Sequence, residues 1–212
     1  DVAMKRLQDA AARMPTDPRL WLDQADVRRK AGAKPDEIEG LLRKASAADA
    51  GAALPRFMLV DHLLAQRQAK EALSVAREAA AGLPEDQSLQ FALGRAQMEN
   101  GDVQQAIATF IKVAAATPNS SEPLMGLASA YIANRDLVSA RKTYRRALEI
   151  SPDYLPAIQG LVKVSLADKQ FDEALQIARA LQKQQPKSPR GYQIEADIRP
   201  FRVSAWLHGR NS

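Results

Sequence analysis

The 212 residues are 46% hydrophobic and 26% charged, a balance that supports a buried core. Only 5% are aromatic, and Ala and Leu abound, which favours helices over a sandwich or barrel. Zero cysteines and only two histidines, His62 and His208, exclude disulfides, thiol nucleophiles, Cys-based zinc or iron-sulfur sites and paired-His chemistry, so no metal and no cofactor are expected. The formal charge of +5 owes three of its units to Arg199, Arg202 and Arg210 in an acid-free end segment. The remaining Lys and Arg are interspersed with Asp and Glu too evenly for phosphate binding, so no nucleic-acid partner is expected.

Residues 1–17 carry Ala3, Leu7 and Ala10 on one helix face and then a stop at Pro15. Residues 18–52 read as a helix pair, with Trp21 and Ala25 on the first helix, Leu42 and Ala45 on the second, and one inserted residue near Ala33-Lys34-Pro35. From there the chain is regular: units 53–86, 87–120, 121–154 and 155–188 place Pro84, Pro118, Pro152 and Pro186 at intervals of 34. Ala72, Ala106, Ala140 and Ala174 stand twelve residues before those prolines. Ala76, Phe110, Tyr144 and Ala178 stand eight before, and Leu59, Leu93, Leu127 and Leu161 form an earlier column. Small residues at recurrent positions let two helix axes approach, and large ones fill the remaining gaps. Ala106 and Ala140 are therefore predicted to be buried, and leucine at either is predicted to overpack by roughly 1 to 3 kcal/mol.

Within each unit the pattern is a first helix, a tight turn such as Asn100-Gly101-Asp102, a second helix and a terminating proline. The polar residues after the proline, as in Pro118-Asn119-Ser120, are placed to cap the next helix. On this frame 1–17 is the second helix of a truncated repeat. Residues 189–198, with Tyr192 and Ala196, open a further first helix. Arg199-Pro200-Phe201 is predicted to end it, which makes 199–212 a non-repeat tail. Neither end carries the polar outer face of a terminal unit, so the chain reads as a window onto a longer array whose uncapped ends offer themselves for self-association. No stretch of about 18 apolar residues spans a membrane.

These columns resemble the tetratricopeptide repeat. In unit 121–154 all eight signature positions of the family are matched, by Leu124, Leu127, Ala128, Tyr131, Ala140, Tyr144, Ala147 and Pro152. The resemblance implies an all-α, right-handed superhelical solenoid of antiparallel helix pairs, with first helices lining a concave groove. Its inward-facing residues would be the apolar Phe57, Met58, Leu64, Phe91, Met98, Met125 and Ile132 and the polar Asp61, Arg95, Glu99, Ser129, Gln159 and Lys163. A groove rich in Met and Phe suits an amphipathic helix or extended apolar peptide. Some members of the family grip a terminal carboxylate with Lys and Asn on successive first helices. Here the corresponding positions hold Leu54, Phe57, Asp61 and Ser88, Phe91, Arg95, so that clamp is not expected.

Catalytic signals are thin. His62 follows Asp61, but helix neighbours point about 100° apart and form no relay. No phosphate loop, nucleophile elbow or zinc motif occurs, so the chain is read as a non-enzyme. The stretches Ala178–Tyr192 and Ala147–Ala157 are similar to the long tetratricopeptide lipoproteins of exosortase and exopolysaccharide systems. That resemblance implies a periplasmic, outer-membrane-anchored scaffold for assembly or export of cell-surface material. The alternative is a regulatory or substrate-binding domain of a larger enzyme such as a glycosyltransferase.

Overall fold

A computed structural model describes the backbone of residues 2–209 and the side chains of residues 5–7 and 9–201. Among these residues there are twelve helices and no strand. They divide into two compact units, Asp1–Ala116 and Thr117–Ser212, where the periodicity alone reads as one unbroken ladder.

Unit 1 contains α1 (Val2–Arg13), α2 (Pro18–Lys30), α3 (Pro35–Ala48), α4 (Ala53–Ala65), α5 (Ala69–Gly82), α6 (Gln87–Asn100) and α7 (Val103–Ala116). Each helix packs on the next, and the first helices α4 and α6 also touch. Unit 2 contains α8 (Glu122–Ala133), α9 (Leu137–Ile150), α10 (Leu155–Ala167), α11 (Phe171–Gln184) and α12 (Arg190–Gly209), packed in the same sequential way.

The column residues make the contacts that their sizes dictate. Ala72, Ala106, Ala140 and Ala174 are all 0% exposed. Where the later column holds an aromatic ring, the surface facing it is glycine. A Cβ on Gly94 would lie 2.6 Å from the Phe110 ring, and one on Gly160 would lie 2.4 Å from Tyr144. Where that column holds Ala76 or Ala178 instead, Val60 and Val162 belong to the same buried clusters. A large residue on one helix is thus matched by a small one on its neighbour, which keeps the pair filled at constant volume.

Each regular first helix ends in the same backbone device. Residues 67, 101, 135 and 169 have positive φ, of 60°, 88°, 60° and 58°. The following N–H donates back to the carbonyl five residues earlier, as from Gln68 to Leu63 at 2.9 Å and from Gln170 to Ser165 at 2.7 Å. This is a Schellman closure, for which glycine is the easiest occupant. Only Gly101, and Gly32 in the degenerate first pair, supply it; the other three positions are Arg67, Arg135 and Lys169.

At the ends of second helices, the residue before the proline is pushed into extended backbone, with φ of −134° at Leu83, −135° at Ser151 and −130° at Gln185. Proline excludes the helical conformation for its predecessor, so it stops the helix one residue upstream of itself. The chain then turns, with the Asp86 N–H on the Leu83 carbonyl at 3.1 Å and the Tyr154 N–H on Ser151 at 3.1 Å.

Two expectations need correction. Asn119 and Ser120 do not cap α8: its N-cap is Ser121, which makes no capping bond. The Ser121 hydroxyl instead donates to the Ala147 carbonyl at 3.0 Å and lies 3.0 Å from Ser151 Oγ, tying the start of α8 to the end of α9. True side-chain caps occur at Asp17, Asp86 and Asp136. Nor does Pro200 end α12, which runs through it to Gly209. Proline removes one N–H donor, but the turn before it is anchored by buried Ile198 and by Glu195, which accepts from Gln182 at 2.7 Å and faces Arg179 and Arg199. The tail assigned to 199–212 is therefore helical over its described part, and its last three residues lie outside the described ones.

Candidate functional site

The first helices carry stripes at i, i+4 and i+7, a spacing that keeps three side chains on one face. In unit 1 these are Phe57, Asp61, Leu64 on α4 and Phe91, Arg95, Met98 on α6. In unit 2 they are Met125, Ser129, Ile132 on α8 and Gln159, Lys163, Leu166 on α10.

The apolar members are neither lost in the core nor free of it. Phe57, Phe91, Met98 and Met125 are half-buried, and Ile132 is 39% exposed. Phe57 and Leu64 rest on the buried cluster that includes Leu59, Leu63 and Ala92. Phe91 leans on buried Phe110, with ring centroids 5.6 Å apart and planes inclined by 56°. Met58 is half-buried as well and packs on the same cluster as Phe57 and Leu64.

The polar members resolve into two kinds. Arg95 Nη1 and Asp61 Oδ1 are 2.7 Å apart, and the two residues are 34 positions apart in sequence, so one repeat's carboxylate neutralises the same column of the next. Both side chains remain substantially in water, where such a pair contributes at most about 1 kcal/mol. Lys163, in the same column of unit 2, is exposed and has no ion-pair partner among the described residues. Glu99 and Gln159 are exposed as well.

Second helices carry another ladder, which the sequence reading missed. Arg43, Arg77, Arg145 and Arg179 recur at multiples of 34, and three of them reach the following second helix. Arg43 pairs with Glu71 and Arg145 with Glu173, while Arg77 lies 3.4 Å from both Gln105 and Asp102. A signal for it was present in the fixed separation of 28 between each Arg and its partner column. Around Glu173 the ladder thickens: Arg141 and the hydroxyl of fully buried Ser165 also converge on it, and Arg141 pairs with Asp168 at 2.9 Å. Burial pushes the Glu173 carboxyl up, but Arg145, Ser165 and Arg141 together outweigh that and hold it below the ordinary glutamate range.

His62 is a buried structural residue. Its Nε2 lies 3.1 Å from the Pro35 carbonyl, joining α4 to the start of α3. Among the described residues no group of His, Asp or Glu is arranged to hold a metal ion, and no helix is long and apolar enough to cross a membrane.

Models of the tetratricopeptide repeat match residues 57–121 and 91–154, and a further one matches 131–198, together covering well over half of the chain. The chain belongs to the tetratricopeptide repeat family. No curated protein sequence matches it. Among solved structures it resembles a tetratricopeptide repeat protein from Parabacteroides merdae, with a TM-score of 0.67 at 17% identity over 88% of this chain and 74% of that one. It is also similar to YrrB, described as a tetratricopeptide protein with an unusual peptide-binding site, with a TM-score of 0.61 at 15% identity over 90% and 97%. MamA from Desulfovibrio magneticus RS-1 gives 0.64 at 14% identity over 90% and 98%. At such identities the likeness is one of fold.

Proposed function

We propose that this tetratricopeptide chain is a non-catalytic scaffold that holds an apolar or amphipathic protein segment against its first helices. The observation that carries the reading is that Phe57, Phe91 and Met98 keep solvent-facing surface beside an Asp61 and Arg95 that already satisfy each other. Apolar side chains left partly exposed beside a neutral rim favour an apolar ligand over a charged one. In unit 2 the same face offers Met125 and Ile132 with the unpaired Lys163, which suits a ligand with an acidic residue at that place. YrrB, with its peptide-binding site on the same fold, supports a peptide as the ligand class.

The test is selection of peptides from a displayed random library on the purified chain, followed by titration of a selected peptide against Phe57→Ala and Met98→Ala. Each substitution should weaken binding about fivefold with circular dichroism unchanged. Selected peptides that bind both variants as well as the parent would sink the reading.

The setting we propose is assembly or export of cell-surface polysaccharide, at the periplasmic face of an outer membrane. It rests on the likeness of Ala178–Tyr192 and Ala147–Ala157 to the lipoproteins of such systems. Fractionation of the native host checks it: recovery of the protein with cytoplasmic markers alone would remove this setting and leave the scaffold reading intact.

A further inference from the structure

The stripe on α4 begins a turn earlier than Phe57, at Leu54, which is 59% exposed. Leu54, Phe57, Asp61 and Leu64 follow one another at steps of three, four and three residues, the spacing of a coiled-coil seam. On α6 the same steps give Ser88, Phe91, Arg95 and Met98. The two helices touch, and the Asp61–Arg95 bond at 2.7 Å ties column to column, so the residues form layers that span both helices. Phe57 and Phe91 make one layer, the ion pair the next, and Leu64 with Met98 the third.

The separation of the layers discriminates between ligand conformations. Seven helical residues rise about 10.5 Å, which is therefore the distance between the two apolar layers. A partner helix laid along α4 and α6 matches it with side chains at i and i+7, both on one face. An extended strand laid the same way offers same-face side chains about 6.7 Å and about 13.4 Å apart, so it meets one apolar layer and is out of step with the other. A strand laid across the helices covers a single layer and leaves the other exposed.

Between the apolar layers the ligand faces Asp61 and Arg95. Arg95 spends Nη1 on Asp61 Oδ1, and the pair stays open to a third group, with side-chain exposures of 53% for Asp61 and 37% for Arg95. A leucine there would take water from both groups without replacing its hydrogen bonds. A glutamate would be repelled by Asp61 and a lysine by Arg95. A carboxamide complements both, since its oxygen accepts from an N–H of Arg95 while its amide N–H donates to Asp61. We propose that the α4–α6 face of unit 1 receives an amphipathic α-helix of a partner protein, with apolar residues at i and i+7 and a glutamine between them over the Asp61–Arg95 pair. The inference deepens the scaffold reading and rests on it. The ion pair sets the register of the ligand, as a single polar residue does within a coiled-coil seam.

The probe is a fluorescein-labelled peptide of fifteen residues, held helical by a lactam on its far face. It carries Leu at positions 1, 4, 11 and 14, Gln at 7 and 8, and Ala, Lys and Glu elsewhere, so it offers the same layers whichever way it runs. Anisotropy should show saturable binding to the full chain. Counterparts with Leu or Glu at both central positions should bind about fivefold more weakly, and one without the lactam and with a proline at position 9 about tenfold. Phe57→Ala should weaken the Gln peptide about fivefold. The double variant Asp61→Leu, Arg95→Leu, with circular dichroism unchanged, should reverse the preference and take the Leu peptide over the Gln one. Equal binding of the Gln and Leu peptides to the parent chain, a proline peptide that binds as well as the helix, or a double variant that still prefers Gln would each overturn the assignment. If no designed helix binds while peptides selected from the random library do and are weakened by Phe57→Ala, the helix assignment falls and the scaffold reading stands.

Discussion

At Arg67, Arg135 and Lys169 the backbone takes φ of 60°, 60° and 58°, a conformation in which a Cβ is crowded by its own peptide. The unit 87–120 uses Gly101 at that step and avoids the strain. Replacing Lys169 or Arg135 by Gly should raise stability by about 0.5 to 1 kcal/mol each, because relief of the left-handed strain exceeds the added freedom of the unfolded chain. Gly101→Ala should lower it by a similar amount. Urea midpoints at constant slope measure both, and a loss of stability in Lys169→Gly would refute the account. The sequence signalled this turn only at Asn100-Gly101-Asp102, since the three basic residues obey no turn preference. The repeat imposes the conformation there, through the helix pairs on either side.

The Glu173 cluster operates at the level of elements, since Arg141 and Arg145 come from α9, Ser165 from α10, Asp168 from the turn just after α10, and Glu173 from α11. Arg141 stands in a column that holds Leu73, Ile107 and Leu175 in the other units, so an apolar seam has been replaced here by a paired polar one. The Glu173 carboxyl is depressed in the folded chain, so its contribution is present above the unfolded glutamate value and is lost as pH falls through the folded one. Stability of the helices α9 to α11 should therefore decline as pH drops through the carboxylate range, and Glu173→Gln should flatten that decline. Thermal melts at a series of pH values, for parent and variant, check the sign. Equal slopes would show that other carboxylates carry the dependence. The columns of alternating size belong to this level too, and they were legible beforehand: Ala106 and Ala140 are fully buried where their spacing placed them.

Within each of the two units, contacts run from each helix to its near neighbours in sequence, as in a one-dimensional array. The charge does not follow the periodicity. Residues 1–116 carry as many acids as bases, so the net +5 lies wholly in residues 117–212. In an array with short-range coupling, damage stays local. Ala106→Leu, which forces a larger side chain between α6 and α7, should lower amide protection in those helices and their immediate neighbours and spare α10 to α12. Hydrogen exchange read by mass spectrometry gives the pattern. Uniform loss over the chain would mean global cooperativity and contradict it.

The sequence alone determined the helix pairs, their 34-residue step and the buried Ala columns, because those depend on side-chain volume and proline stereochemistry, both local properties that a single repeat already displays. It also marked which first-helix residues could meet a ligand. Only the tertiary structure showed that Asp61 and Arg95 neutralise each other, and that Glu173 draws in three partners. It alone brought Trp21, Asp36 and Lys44 around an open space at Gly40. The physical reason is common to all three. Charge pairing and open volume depend on the distance between side chains of different helices, and that distance is fixed by how neighbouring pairs stack, which periodicity along one chain does not encode.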